Sequence, residues 1–275
     1  MKKILLTTGL YAAVVFVLIY SLFPFYYAII TSFKTGTALF GTDLFPTDIK
    51  FDNYVSVFSQ NAFVSSVFNS IFVSVVVVFL ALLLGLTSAY ALSRIRFRGR
   101  SSILLMVLSI SMFPQIALLA GLFEMVMGLG LYNTLSAMIL SYMIFTLPFT
   151  VWVLTNYMKE LPQELEEAAM VDGAPPWIIL TKIFLPLLWP AMVTTGLLAF
   201  IAAWNEFMFA LTFTSSIDKR TIPVAIALLS GATPQEIPWG NLMAASVAVT
   251  VPLVALVLVF QRKILSGLMA GAVKG

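Results

Sequence analysis

The chain consists of long apolar runs separated by short polar segments. Six runs reach about 20 residues or more, the length that an α-helix needs to cross the hydrocarbon core of a membrane. Charged residues lie almost entirely between these runs. The pattern predicts an all-α integral membrane protein with a single transmembrane domain over residues 1–275. The six predicted spans cover residues 4–32, 62–92, 101–123, 134–157, 187–213 and 242–261.

The composition agrees with a membrane setting and excludes several kinds of chemistry. Hydrophobic residues make up 61% of the 275 residues and charged residues 10%, and the mean hydropathy is +1.03. The chain has no Cys and no His, so disulfides, thiolate nucleophiles and the usual zinc sites are excluded. No GxxxxGKS or GxxxxGKT sequence is present, which excludes ATP binding through that loop. We therefore predict no catalytic residues and no metal ligands.

The basic residues are distributed unevenly over the two sides that six spans define. Eleven lie on the side of both termini: Lys2, Lys3, Arg94, Arg96, Arg98, Arg100, Lys159, Lys182, Arg262, Lys263 and Lys274. Four lie on the other side: Lys34, Lys50, Lys219 and Arg220. Because short cytoplasmic loops carry an excess of Lys and Arg, the side with eleven is predicted to be cytoplasmic. The four arginines of SRIRFRGR (93–100) are interpreted as topology anchors, with lipid or partner binding as the alternative.

One segment between the fourth and fifth predicted spans is unusually charged. Seven of the 27 charged residues lie between Lys159 and Lys182. Three glutamates suit the first turn of a helix there, Gly173 suits the left-handed residue that ends a helix, and two prolines after it prevent continuation. A second short helix is predicted to run to Pro186. Segment 158–186 is thus predicted to be an elbow on the cytoplasmic surface, with apolar residues on one face and the carboxylates opposite.

A second polar group lies inside a predicted span, in AAWNEFMFA (202–210). An intramembrane carboxylate such as Glu206 is a functional candidate. With Trp204 and Asn205 it offers a stacking surface, an amide and an acceptor, which suit a hydroxylated ligand, so these three residues form a candidate substrate path. In the alternative interpretation, Asn205 and Glu206 hydrogen-bond a neighbouring helix and fix its position.

The elbow also carries a specific sequence motif. Glu167-Ala168-Ala169, three residues, Gly173, nine residues and Ile183-x-Leu185-Pro186 resemble the EAA motif of permease subunits in bacterial binding-protein-dependent ABC importers. WNEF (204–207), KRTIPVAIALL (219–229), NLMAASV (241–247) and QRKILSGLMAGAVKG (261–275) are similar to the MalG-like permeases of maltose and other oligosaccharide importers. The resemblance covers most of the chain and is strongest from Leu161 onward.

This resemblance implies the type I ABC importer permease fold, in which the elbow is a cytoplasmic coupling helix. It implies a multi-pass protein of the bacterial cytoplasmic (inner) membrane with both termini in the cytoplasm. The implied partners are a second, MalF-like permease, two cytoplasmic ABC ATPase subunits, an extracytoplasmic sugar-binding protein and membrane lipid, with no nucleic acid. The chain would bind no cofactor and would not itself be an enzyme, because ATP and Mg are used by the ATPase subunits. Its expected function is to translocate a carbohydrate, a di- or oligosaccharide, delivered by the binding protein.

The resemblance assigns three groups of residues to these partners. Coupling to the ATPase is expected at Leu165, Glu167, Ala168, Ala169, Met170, Gly173, Ile183, Leu185 and Pro186. The outer loop TPQEIPWG (233–240) resembles one that enters the cleft of the binding protein, through Thr233, Pro234, Gln235, Glu236, Ile237, Pro238 and Trp239. The C-terminal tail resembles one that inserts between the ATPase subunits, through Gly267, Gly271 and Lys274.

Other functions compete with a sugar permease. A permease for a related solute such as glycerol 3-phosphate would have the same architecture. An ion-coupled secondary transporter would need an ion or proton relay, whereas the spans hold one deep carboxylate and no His. A membrane enzyme would need a nucleophile or a metal cluster, and a channel would leave the elbow unexplained. Co-purification with a separately encoded ATPase would distinguish an importer from the last three.

Overall fold

The computed structural model describes residues 2–41, 43–45, 48–229 and 237–272. Within these ranges the regular structure is entirely helical, which confirms the predicted all-α class. The α-helices are α1 (Lys2–Ser32), α2 (Asp52–Phe58), α3 (Asn61–Arg94), α4 (Arg100–Ser111), α5 (Gln115–Gly128), α6 (Leu135–Glu160), α7 (Glu164–Val171), α8 (Pro176–Ile178), α9 (Leu185–Trp204), α10 (Met208–Phe213), α11 (Ile222–Ala227) and α12 (Trp239–Ala272). A π-helix joins α8 to α9 at Ile179–Phe184, and 3₁₀-helices lie at Gly36–Phe40 and Ile217–Lys219.

Five helical stretches in the described ranges are long and apolar enough to cross a membrane. They are Leu6–Ser32, Asn61–Arg94, Leu135–Glu160, Pro176–Trp204 and Trp239–Gln261. A sixth crossing is present if α4 and α5 are counted as one bent span. The chain is therefore a multi-pass helical membrane protein.

The third predicted span, 101–123, is not one straight helix. α4 and α5 are bent by 96°, and the break lies at residues 112–114. Pro114 is extended, with ψ at 125°, and its nitrogen has no hydrogen to donate. A proline also keeps the preceding residue, Phe113, out of the helical region. For both reasons α4 ends before Pro114 and a new helix begins at Gln115.

The fifth predicted span, 187–213, is also interrupted. α9 ends at Trp204 and α10 begins at Met208, although the intervening residues include neither Pro nor Gly. The amide of Asn205 still donates to the carbonyl of Ile201 (3.1 Å), whereas Phe207 has left the helical conformation, with φ −120° and ψ −42°. The span is therefore two helices in sequence, where one was expected.

The chain forms two compact units, and the single transmembrane domain over residues 1–275 stays a prediction. The first comprises residues 1–64 and 226–252. In it the side-chain amide of Asn53 donates to the carbonyls of Ser32 (2.8 Å) and Lys34 (2.9 Å). The ammonium of Lys34 donates to the carbonyl of Asp43 (2.7 Å). The two bonds of Asn53 connect α2 to the end of α1, and the bond of Lys34 connects the same region to Asp43.

The second unit comprises residues 65–225 and 253–275. Small residues let two of its helices approach closely, because a Cβ atom on Gly85 of α3 would lie only 2.6 Å from Cγ2 of Thr150 on α6. Ala81 and Ala89, one turn either side, are fully buried, so the three form a close-packing stripe. The unit contains two apolar clusters, one that includes Tyr142, Phe209 and Phe213 and another that includes Leu154, Met158 and Phe184.

Candidate functional site

The charged segment after α6 forms an elbow that begins with a sharp change of direction. Leu161 is extended, with ψ at 139°, as expected of a residue before proline. α7 then starts at Glu164, and the carbonyl of Gln163 accepts the amides of Glu166 (3.0 Å) and Glu167 (3.1 Å). The glutamates lie in the first turn of α7, where negative charge is favoured by the helix dipole.

The turn after α7 has the geometry that its glycine predicts. Gly173 has φ at +76°, which confirms the left-handed conformation expected there. Its amide donates to the carbonyl of Met170 (3.0 Å), and the amide of Ala174 donates to the carbonyl of Ala169 (2.9 Å). These two bonds form a Schellman motif, which satisfies the last carbonyls of the helix. The turn at the centre of the elbow is therefore closed by two hydrogen bonds.

The second half of the elbow differs from the short helix expected to end at Pro186. The chain is instead continuously helical from Pro176 to Trp204, and Pro186 lies exposed in the first turn of α9. In an α-helix a prolyl ring clashes with the carbonyl four residues earlier, here that of Lys182. The π-helix over Ile179–Phe184 widens the turn there. The helix accommodates the proline in this way and continues into the span.

The faces of α7 are not divided as the sequence pattern predicted. Ala169, expected on the docking surface, is buried and packs with the chain's own apolar residues, including the half-buried Ile183 and Leu185. Ala168 is exposed. Glu166, expected among the outward carboxylates, is also buried. The expectation that all the carboxylates face away from the protein is therefore wrong for Glu166.

Large apolar side chains nevertheless remain exposed on the elbow, next to the exposed Glu167. The exposed fractions are 40% for Leu165, 54% for Met170, 88% for Val171 and 64% for Trp177. The sequence analysis did not single out Val171 and Trp177, although both lie in the intervals between the fixed positions of the motif, which was the available signal. This surface belongs to a segment between two spans, so lipid tails are not expected to bury it. Exposed apolar patches of this kind mark interaction sites.

The buried Glu166 contacts the end of α3. Its Oε1 accepts a hydrogen bond from the hydroxyl of Tyr90 (2.7 Å), and its Oε2 lies 3.8 Å from Nε of Arg94. The sequence analysis missed this cluster and assigned Arg94 to the topology anchors. A cleft of about 300 Å³ opens beside it, between Arg96 and Arg100 on one side and α7 on the other.

The candidate substrate path does not form one site. Trp204 is buried and stacks on Phe200, with ring centroids 5.5 Å apart. Asn205 is exposed, and its side-chain amide donates to the carbonyl of Ile201 in its own helix (2.8 Å). Trp204, Asn205 and Glu206 therefore do not converge on a ligand, although they are adjacent in sequence.

The carboxylate of Glu206 is engaged by the start of the next helix. Its Oε1 accepts the amide of Phe209 (2.8 Å) and its Oε2 accepts the amide of Ala210 (3.1 Å). The first amides of a helix have no partner within the helix, so this side chain satisfies two of them in α10. This arrangement favours a structural role, with Glu206 fixing the break between α9 and α10.

The outer loop and the C-terminal tail are described only in part. Residues 233–236 and Lys274 lie outside the described residues. Ile237 and Trp239 are exposed, and α12 begins at Trp239. The backbone at Gly267 and Gly271 is helical as part of α12, so these glycines belong to a continuation of the last helix. Among the described residues no group of three or more Asp or Glu side chains is placed to hold a metal ion.

Several apolar spans with a hydrogen-bonded elbow between two of them define an integral membrane protein, and comparison with protein families gives its class. Residues 81–269 match the family described as "Binding-protein-dependent transport system inner membrane component". The chain belongs to this family.

Individual relatives narrow the comparison. The chain is 46% identical over 277 residues to the trehalose/maltose transport system permease protein MalG of Thermococcus litoralis, covering 100% of this chain and 98% of the relative. It is 38% identical over 256 residues to the trehalose transport system permease protein SugB of Mycobacterium tuberculosis, covering 93% of each. A bacterial ABC transporter involved in the import of the acidic polysaccharide alginate contains a chain of the same fold, with a TM-score of 0.81 at 26% identity over 93% of this chain and 96% of that one. The MalG-like resemblance and the importer permease fold are thereby confirmed.

Proposed function

We propose that this chain is the permease subunit of an ATP-driven importer of a di- or oligosaccharide such as maltose or trehalose. An extracytoplasmic binding protein delivers the sugar. Support comes from the family, whose description names dependence on a binding protein. Further support comes from two relatives described as permeases for trehalose or maltose.

The observation that carries the coupling role is the exposed apolar surface of the elbow. Val171 and Trp177 are the most exposed large apolar side chains of that segment, and the Schellman turn at Gly173 holds the backbone between them in one conformation. We assign this surface to the ATPase subunits, because it lies on the side with eleven of the fifteen basic residues and that side is cytoplasmic by the positive-inside rule. Glu167 is exposed beside it and is available to pair with a basic group of the ATPase.

In the proposed assembly this chain pairs with a second, MalF-like permease and rests on two ABC ATPase subunits. ATP and Mg are bound and used by those subunits, so this chain performs no chemical step and binds no cofactor. Both of its termini face the cytoplasm. The loop over residues 233–239 reaches the binding protein on the opposite side, and the end of α12 approaches the ATPase subunits.

The test is reconstitution of the full complex in proteoliposomes with its binding protein. Maltose, trehalose and glycerol 3-phosphate are supplied separately, and ATP hydrolysis and uptake are measured together. We expect maltose or trehalose with the binding protein to raise both activities, and glycerol 3-phosphate to raise neither. Uptake that follows an ion gradient without ATP, or stimulation by glycerol 3-phosphate alone, would contradict the proposal.

A further inference from the structure

Arg94 is buried at the end of α3, where its side chain is only 4% exposed. Its Nη2 donates to the carbonyls of Met158 (2.7 Å) and Leu161 (2.8 Å). The last carbonyls of a helix have no partner within the helix, and a cation is favoured at this end of the helix dipole. Arg94 therefore binds α3 to the C-terminal end of α6.

The same guanidinium group also faces the elbow. Its central carbon lies 4.9 Å from the centre of the Phe184 ring in the π-helix, a distance at which a cation is attracted to an aromatic face. Its Nε lies 3.8 Å from Oε2 of Glu166, which is an ion-pair distance but too long for a hydrogen bond. Among the described residues this Nε has no hydrogen-bond partner, so the hydrogen bond that holds Glu166 comes from Tyr90.

We propose that Arg94, Tyr90 and Glu166 form a joint that fixes α7 to α3 and α6, so that a displacement of α7 moves these two spans. The proposal rests on the proposed function, in which α7 is the element that docks on the ATPase. The three are positioning residues, because they act through the helices that they connect. We call this cluster the Arg94 joint.

The length of α7 makes its contacts with neighbouring elements important. An isolated helix of eight residues is not stable in water, so α7 depends on residues 161–163, on the turn at Gly173 and on its two buried side chains, Glu166 and Ala169. The apolar packing of Ala169 is non-directional, so it does not by itself fix the orientation of α7. The contacts of Glu166 with α3 attach the first turn of the docking element directly to a membrane helix.

The chemistry of the joint also indicates a positioning role. Removing an ion pair from water costs about as much as the mutual attraction of the charges returns, so such pairs contribute little net stability. What they do specify is geometry, because a displaced partner leaves a buried charge unmatched. A buried pair at this place therefore favours one orientation of α7 over others.

The experiment measures a distance across the joint in the purified permease in detergent, because one label lies on the surface assigned to the ATPase. The chain has no native Cys, so nitroxide labels are attached only at Phe79→Cys on α3 and Val171→Cys on α7, both at exposed positions. This pair of labels is combined with Glu166→Gln, with Tyr90→Phe and with both changes. Glu164→Gln is the matched control, because Glu164 lies in the same turn but is exposed.

We expect a single narrow distance distribution with the joint intact and in Glu164→Gln, and a broad one in Glu166→Gln and Tyr90→Phe. In the unlabelled complex, the amount of sugar imported per ATP hydrolysed should fall about tenfold in Glu166→Gln, which corresponds to about 1.4 kcal/mol. The ATPase should stay bound in this variant. The double variant should be no worse than Glu166→Gln alone, because both changes remove the same interaction.

A narrow distribution of distances between the two labels in Glu166→Gln would contradict the proposal. A broad distribution in that variant, with an unchanged amount of sugar imported per ATP, would contradict it as well. Failure of the proposed function gives a different result. In that case the complex with an intact joint would itself import no sugar or would not retain the ATPase, while the distances would still show whether Glu166 fixes α7.

Discussion

Glu166 and Glu206 are both buried carboxylates, with exposed fractions of 8% and 6%, but they are held by different kinds of partner. Glu206 accepts hydrogen bonds from backbone amides three and four residues later, of which the shorter is to Phe209 (2.8 Å), and its carboxylate also interacts electrostatically with Tyr142 of α6. Glu166 accepts its hydrogen bond from Tyr90, 76 residues away in the chain. It also faces the guanidinium group of Arg94.

The difference separates a local role from a tertiary one. Because the hydrogen-bond donors to Glu206 are the amides of Phe209 and Ala210, that side chain stabilises the start of α10. Because the partners of Glu166 belong to α3, that side chain determines where α7 lies relative to a span. Loss of Glu206 should therefore change one helix break, whereas loss of the Glu166 contacts should change how two parts of the unit move together.

The largest effect is expected for Arg94→Ala. This variant leaves Glu166 buried without its opposite charge, which costs about 3–5 kcal/mol, and removes the donor to the two carbonyls at the end of α6. Thermal unfolding of the purified permease in detergent should shift to a clearly lower midpoint. Arg96→Ala is the control, since Arg96 lies two residues away and is exposed. Equal midpoints for the two variants would show that Arg94 is not a structural partner of α7.

A smaller effect is expected for Glu206→Ala. The variant leaves the amides of Phe209 and Ala210 buried without an acceptor, which costs about 1–3 kcal/mol, whereas Glu206→Gln keeps one acceptor oxygen and should lose less. We expect the amount of folded protein to fall and the apparent KM for sugar to stay unchanged. Glu124→Ala, at an exposed position, should change neither quantity. An increase in apparent KM at an unchanged amount of folded protein would instead show that Glu206 is part of the substrate path.

The smallest effect on stability is expected at the turn of the elbow. Gly173→Ala places a Cβ atom on a residue with φ at +76°, which costs about 1–2 kcal/mol in the left-handed region. Asparagine tolerates this conformation better, so Gly173→Asn should retain more function. The fraction of ATPase recovered with each purified permease is the measurement. Equal recovery for glycine, asparagine and alanine would mean that the turn geometry does not control docking.

The helices and the elbow were predictable because their determinants are local. The length of the apolar runs alone predicted most of the spans, and the position of Gly173 predicted the end of α7. The break at residues 205–207 was not predictable by the same rules, since no Pro or Gly marks it and its cause is the side chain of Glu206. Pro114 was visible in the sequence, but a proline does not by itself specify a bend of 96°.

The buried cluster at the elbow was not predictable, because its contacts join distant parts of the chain. The amphipathic pattern grouped Glu166 with its charged neighbours, and Arg94 was grouped with the exposed arginines that follow it. The grouping of Trp204, Asn205 and Glu206 was misleading for the opposite reason. Adjacent residues at the end of a helix point in different directions, so closeness in sequence did not produce a shared site.

The central claim is that the exposed apolar surface of the elbow docks on the ATPase, and protection of Val171 from a thiol reagent tests it most directly. Val171→Cys is the only cysteine in the chain, and its rate of labelling is measured for the purified permease in detergent with and without the ATPase subunits. Ile49→Cys, at an exposed position far from the elbow in sequence, is the control. The account predicts that the ATPase strongly slows labelling at residue 171 and leaves labelling at residue 49 unchanged. Equal rates at residue 171 with and without bound ATPase would contradict it.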